Sequence, residues 1–279
     1  MKNKALKLFT AFALIAGTSL FYTGCKKEED KPADANAASD NAMADNAFAG
    51  IWKQISEVTD SSGTLRSPLS SSASAYPIVT ITNWNTSIWP KVVTIDFGPS
   101  NVLGNDYNNR RGIISAEFTG RYTDSATVIT VTLTNYYHND YHVQGIQTIT
   151  NMGHNTAGNL VYNVVVNNAT ITHPTNGQTS TWSTNQNREF IQNSAAWVDD
   201  EYMITGTASG VSGGGSAYTI VVNTALKVGV TCRWIKSGVF TLTLTDYPNY
   251  PIVFDYGSGA CDGLATATLN GTTYNIVMN

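Results

Sequence analysis

From Ile78 to the C-terminus the chain is written in the two-residue period of a β-strand. Stretches such as Val128-Ile129-Thr130-Val131-Thr132-Leu133-Thr134, Tyr162-Asn163-Val164-Val165-Val166 and Val239-Phe240-Thr241-Leu242-Thr243-Leu244 are rich in β-branched residues and alternate, or nearly so. That is the pattern of a pleated surface with one side buried. Turn dipeptides separate the runs: Asn139-Asp140, Asn176-Gly177, Ser237-Gly238 and Asn270-Gly271, each suited to a tight hairpin. No helical pattern long enough for a crossover lies between them, which disfavours a parallel βαβ sheet. The expectation is an all-β, antiparallel, internally repetitive meander or sandwich with one short N-terminal helix.

Two pairs of segments carry the repetition. Residues 112–120 (GIISAEFTG) match residues 263–271 (GLATATLNG), and each follows an Asp-aromatic-Gly end, Asp96-Phe97-Gly98 and Asp255-Tyr256-Gly257. Residues 162–169 (YNVVVNNA) match 218–225 (YTIVVNTA), preceded by YHVQG at 141–145 and YMITG at 202–206. Ile114, Ala116 and Phe118, like Ala265, Ala267 and Leu269, fall on one face as a core side, with mainly Ser, Thr and Glu on a wet side. Ahead of the strands, Phe48, Ile51, Trp52, Ile55 and Val58 recur at helical spacing, with Asp45 or Asn46 to cap the start, so the pattern predicts a helix over 45–58. The Ser-rich piece from Ser61 to Ser74 reads as a loop broken by Gly63 and Pro68.

Only 13% of residues are charged, while Thr, Asn, Ser, Gly and Tyr are plentiful, as in a polar but weakly charged β protein. Residues 1–24 hold three of the 16 bases and none of the 20 acids, so the remainder carries a formal charge of −7 against −4 for the whole. That sign argues against nucleic acid, whose phosphates require a basic face. Residues 26–47 contain almost no large apolar side chain and predict a tether.

The N-terminus has a basic start (Lys2, Lys4, Lys7), an apolar stretch from Leu8 to Leu20, then Thr23, Gly24 and Cys25 followed by Lys26-Lys27-Glu28-Glu29-Asp30. It resembles a bacterial lipoprotein leader, with Tyr22 where such leaders usually carry Leu. The resemblance implies cleavage before Cys25 and acylation (palmitate-type chains) of that cysteine. At about 0.8 kcal/mol per buried methylene, two or three acyl chains hold a protein on a membrane without a spanning helix. The apolar stretch is short of the roughly 20 residues a span needs. The run KKEED resembles the acidic signal that sends such lipoproteins to the outer face of the outer membrane. The expected organisation is a signal peptide at 1–24, an acylated cysteine and disordered tether at 25–44, and a single β-rich domain at 45–279.

A broader resemblance rests on TIDFG, RRGIISAEFTGRY, NYYHNDYHVQG, WVDDEYMITGTASG, TCRWIKSG and FDYGSGACDG, in that order. Together they are similar to a group of surface-exposed Bacteroidota lipoproteins to which no activity is attached. The resemblance implies address and fold and leaves function open.

With Cys25 acylated, Cys232 and Cys261 remain in a compartment that permits disulfides, and no histidine lies near either in sequence, so a structural bridge is expected. His138, Asp140 and His142 would share a face as metal ligands on one continuous strand. Asn139-Asp140 reads as the hairpin turn itself, which leaves the histidines as exposed turn flanks. Asp199-Asp200-Glu201 reads as a solvated acidic loop rather than a calcium site. No G-x-S-x-G, phosphate loop, H-E-x-x-H or helix-opening G-x-G-x-x-G is present, so no catalytic motif, cofactor or metal is expected. Asp96, Glu117 and Asp255 are the acids a glycoside hydrolase would use, and Asp before aromatic-Gly is more simply a turn residue.

Binding has the positive signal. Trp84, Trp89, Trp182, Trp197 and Trp234, with 14 tyrosines, supply flat amphipathic surfaces. Trp84 and Trp89, in a loop-like stretch, are the expected exposed pair for a glycan or another surface ligand. The chain is thus expected to be a monomer at the outer membrane that binds a glycan or surface protein, with a structural or assembly role as the alternative.

Overall fold

The computed structural model describes residues 35–59, 65, 76–84, 87–104, 106–192, 201–229, 232 and 234–277. The leader, Cys25, Trp197, Asp199 and Asp200 lie outside these. Among the described residues one helix, α1 (Ala35–Glu57), precedes fourteen strands: β1 (Ile78–Ile81), β2 (Lys91–Asp96), β3 (Val102–Leu103), β4 (Asn109–Phe118), β5 (Val128–His138), β6 (Tyr141–His154), β7 (Leu160–Thr172), β8 (Thr179–Gln192), β9 (Glu201–Val211), β10 (Ala217–Gly229), β11 (Ile235–Leu244), β12 (Ile252–Ser258), β13 (Leu264–Leu269) and β14 (Thr272–Val277). Apart from the two-residue β3, which pairs with β4, each strand pairs antiparallel with the next in sequence from β1 to β14. The sheet is therefore one all-β meander, and the sandwich alternative is not adopted.

One face of this sheet is the core. Ile114, Ala116 and Phe118 in β4 are buried while Glu117 between them is exposed, and Ala265 is buried in β13, as the alternation requires. The other wall of the core is α1. Phe48 stacks on Trp182 at 5.5 Å, and Trp52 meets Tyr162 edge-on at the same separation.

The helix is ten residues longer at its start than the pattern of large apolar residues predicts, and residues 35–44 belong to it rather than to a tether. Asp45 and Asn46 lie inside the helix and cap nothing. The missed turns are held by small and polar side chains. Ala37 and Ala44 are fully buried, Asn41 Oδ1 accepts from the Trp182 indole at 2.9 Å, and Asp40 Oδ2 accepts from the Gly213 amide at 2.7 Å. Ala pays no side-chain entropy in a helix, so a run that looks too poor to bury anything folds where a surface already waits for it.

The sheet curls around this helix. Gly50 faces Arg110 in β4 and His138 in β5, Gln147 in β6 donates to the Phe48 carbonyl, Asp45 accepts from Gln186 in β8, and Asp40 reaches the β9–β10 turn. Strands stand about 4.8 Å apart and a helix is about 10–12 Å across, so contact with so many strands, on widely separated sides of the helix, needs a concave sheet. Asn36, Ser39, Ala42, Asn46 and Glu57 remain exposed.

Left-handed residues inside the strands produce the curl. Gly112, Asn135, Gly145, Asn168, Gly206 and Gly238 all have positive φ and coincide with or adjoin register shifts in their ladders, the bulges by which strands bend. Ser237-Gly238 is thus a bulge within β11 and not the expected hairpin turn. Asn139-Asp140 and Asn270-Gly271 do form turns, with both residues of each at positive φ, as a tight hairpin demands. The internal repetition is visible in matched details: Asp96 Oδ1 accepts from the Gly98 amide at 2.7 Å, and Asp255 Oδ1 from Gly257 at 2.8 Å. No described helix is long and apolar enough to cross a membrane.

Candidate binding surfaces

Trp84 and Trp89 flank the connection into β2, and one lysine ties them together. Lys91, 7% exposed, holds its ammonium 4.9 Å from the Trp89 ring centre and 3.4 Å from the Trp84 carbonyl oxygen. Both indoles pack on the edge of the core and keep part of their surface exposed. A cation over an indole face is worth about 0.5–2 kcal/mol, so the lysine holds the Trp89 ring at the start of β2 while also bonding the Trp84 main chain. The sequence reading named the tryptophans and missed Lys91, whose place two residues after Trp89 was the available signal. Ile88, next to Trp89, adds exposed apolar surface here, whereas Tyr76 and Ile78 lie at the other end of the β1–β2 pair, Tyr76 beside Gly98 and Ile78 opposite Asp96.

The remaining tryptophans divide otherwise. Trp52 and Trp182 are buried, and the Trp52 indole donates to the Tyr122 hydroxyl at 2.7 Å. Arg188 lies with its guanidinium 4.7 Å from the Trp52 ring centre. Trp234 is partly buried.

The convex face is a polar array. Thr130, Thr148, Val165, Asn185 and Thr207 stand opposite one another on β5 to β9. Beside them the Asn163 amide donates to Asn185 and Asn187 side-chain oxygens at 2.8 and 2.9 Å.

The histidines part company at the β5–β6 turn. His142 stacks on Tyr137 at 4.7 Å, the same tyrosine that lies 3.7 Å from the Arg111 guanidinium. His138 is fully buried beneath α1 and is no exposed turn flank. It sits opposite Arg110, itself buried and paired through Nη1 to Asp106 at 2.8 Å. Burial followed by repulsion from Arg110 pulls the His138 pKa down to about 4. Burial works against the Asp106 carboxylate, but the Arg110 guanidinium outweighs it and holds the pKa well below the usual range. Burial lifts the Tyr136 hydroxyl beside them to about 12. Among the described residues no group of three or more His, Cys, Asp or Glu side chains is placed to hold a metal.

The acids considered for hydrolysis are dispersed. Asp96 and Asp255 occupy β2 and β12, with β4 to β11 between them in the ladder, and each is engaged with its own turn. Glu117 is exposed on the convex face. Glu201, the described member of the acidic run, pairs with Lys227 at 2.7 Å and also with Lys236. Cys232 and Cys261 form the expected bridge, Cα atoms 5.8 Å apart, joining the β10–β11 connection to the β12–β13 one.

Compared with protein-family models, with curated proteins and with solved structures, this chain has no match.

Proposed function

We propose that this chain is a lipid-anchored protein of the bacterial outer envelope, acylated at Cys25, that acts by non-catalytic binding of a glycan. The observation that supports the ligand site is the partly exposed Trp84 and Trp89 at the start of β2, with Lys91 over the Trp89 ring and bonded to the Trp84 carbonyl. Partly exposed rings fixed on a strand end offer stacking surface at little entropic cost. The polar convex face adds amide and hydroxyl groups suited to carbohydrate hydroxyls.

The test is a titration of the full chain in detergent with a panel of polysaccharides, following tryptophan emission and released reducing ends together. Saturable quenching without product, lost in Trp84→Ala or Trp89→Ala, is the expected result. Product lost on changing Asp96 or Glu117 would replace binding with hydrolysis. Incorporation of an alkynyl fatty acid by the wild type, absent in Cys25→Ala, tests the anchor. A second reading, assembly with another protein chain, is supported by the outer edge of β14, which pairs with no further strand among the described residues.

A further inference from the structure

We infer that the free edge of β14 is a homotypic interface, on which two copies of this chain pair antiparallel about a two-fold axis at Asn275. This goes beyond the glycan reading and does not depend on it. Among the described residues β14 pairs with β13 alone, through six consecutive residue pairs with no register shift. An uncovered strand edge is a template for another strand, and proteins blunt such edges with charge, proline or bulges. None of these occurs in Thr272–Val277, and residues 263–277 carry no charge at all.

Backbone geometry sets the register. The two-residue turn at Asn270-Gly271 makes Leu269 and Thr272 the first bonded pair. Bonding then alternates, so Thr272, Tyr274 and Ile276 are engaged with β13 while Thr273, Asn275 and Val277 turn their amides and carbonyls outward. A two-fold axis at Asn275 sets that residue opposite its own copy, Thr273 opposite Val277, and Tyr274 opposite Ile276. The last is an aromatic–β-branched cross-strand pair, a favourable kind. Tyr274, 41% exposed, lies on the core-facing side with Ala265 and Ala267, so the second copy continues that face and covers it.

Charge and symmetry both select a second copy. Beyond residue 24 the chain has a formal charge of −7, and like-charged copies repel least where the contacting surface is neutral. The other edge, β1, has four residues against the six of β14, and joining unlike edges gives an open head-to-tail contact. β14 against itself is isologous and closes. A single strand ladder is at the low end of interface size, so association is expected in the micromolar range.

The experiment combines sedimentation equilibrium of the full chain in density-matched detergent with site-directed crosslinking. In the proposed register two Asn275 Cα atoms lie about 5.5 Å apart, within the span of a disulfide. Thr273 is displaced from its own copy by about 13 Å along the strands. The expected results are a concentration-dependent dimer lost in Asn275→Lys, dimeric crosslinks from Asn275→Cys on mild oxidation, and none from Thr273→Cys. A wild type that stays monomeric to about 100 µM, a dimer that persists in Asn275→Lys, or equal crosslinking from both cysteines overturns the proposal. Asn275 is exposed, so its substitutions leave the fold intact, and an unchanged thermal midpoint verifies that.

Discussion

His138 lies directly across the β4–β5 ladder from Arg110, and both are sealed beneath Gly50 of α1. A Cβ on Gly50 would stand 3.1 Å from Arg110 Nη2 and 3.3 Å from His138 Cε1, so the helix comes within van der Waals reach of a buried cation and an imidazole. Neither His138 nitrogen has a hydrogen-bond partner among the described residues. The imidazole is therefore neutral in the folded protein, and acid acts on this contact first.

The direction of the pH effect follows from the depressed pKa. His138 titrates near 4 when folded and near 6.5 when unfolded, so the unfolded chain binds more protons between those values. Its contribution is complete above pH 6.5 and is lost as pH falls toward 4, by about 3 kcal/mol at most. Asp106, held below its ordinary value by Arg110, adds a further loss below pH 4. Urea midpoints at several pH values are expected to fall across this window in the wild type and to stay flatter in His138→Gln. Parallel slopes in the two proteins would assign the acid sensitivity elsewhere.

Gly112 separates backbone requirement from packing. Its φ is +87°, and a Cβ there would lie 2.0 Å from the Asn135 carbonyl oxygen. Gly112→Ala is expected to destabilise by about 3 kcal/mol or more, through strain plus displacement of β5. Gly177 also has positive φ but nothing within 4 Å of an added Cβ, so Gly177→Ala is expected to cost only about 1–2 kcal/mol. Equal costs would mean that the bulge is not a bend the fold depends on.

The first turns of α1 are testable through Asn41. Removing its side chain leaves the Trp182 indole N–H, bonded at 2.9 Å, buried without that acceptor. Such a loss costs about 1–3 kcal/mol. Asn41→Ala is expected to lower the unfolding free energy by that amount, read as a lower urea midpoint, whereas Asn46→Ala, at an exposed position of α1, is expected to leave it unchanged.

The Cys232–Cys261 bridge spans a sequence separation of 29. Closing a loop of that size stabilises by about 3–4 kcal/mol on the chain-entropy model. The double change Cys232→Ser, Cys261→Ser is expected to lower stability by that amount, read as a shift in thermal midpoint. The last two strands of the sheet, β13 and the edge strand β14, should lose hydrogen-exchange protection first.

The sequence by itself determined the antiparallel β class, the hairpins at Asn139-Asp140 and Asn270-Gly271, the core face through Ile114, Ala116 and Phe118, and the cysteine pair. The first three are local or period-two properties, set by backbone sterics and by which side of a pleat faces water; the cysteine pair was legible because only two cysteines remain once Cys25 is set aside. The tertiary structure decided that α1 begins at Ala35, that Ser237-Gly238 bends a strand, that His138 points inward, and that Lys91 links Trp84 to Trp89. Those outcomes depend on partners far away in the chain: Asn41 meets Trp182 across 141 residues, and Gln147 meets Phe48 across 99. A run of alanines carries no strong signal until a concave sheet stands beside it, and a glycine reads equally as turn or bulge until the neighbouring strands set the register.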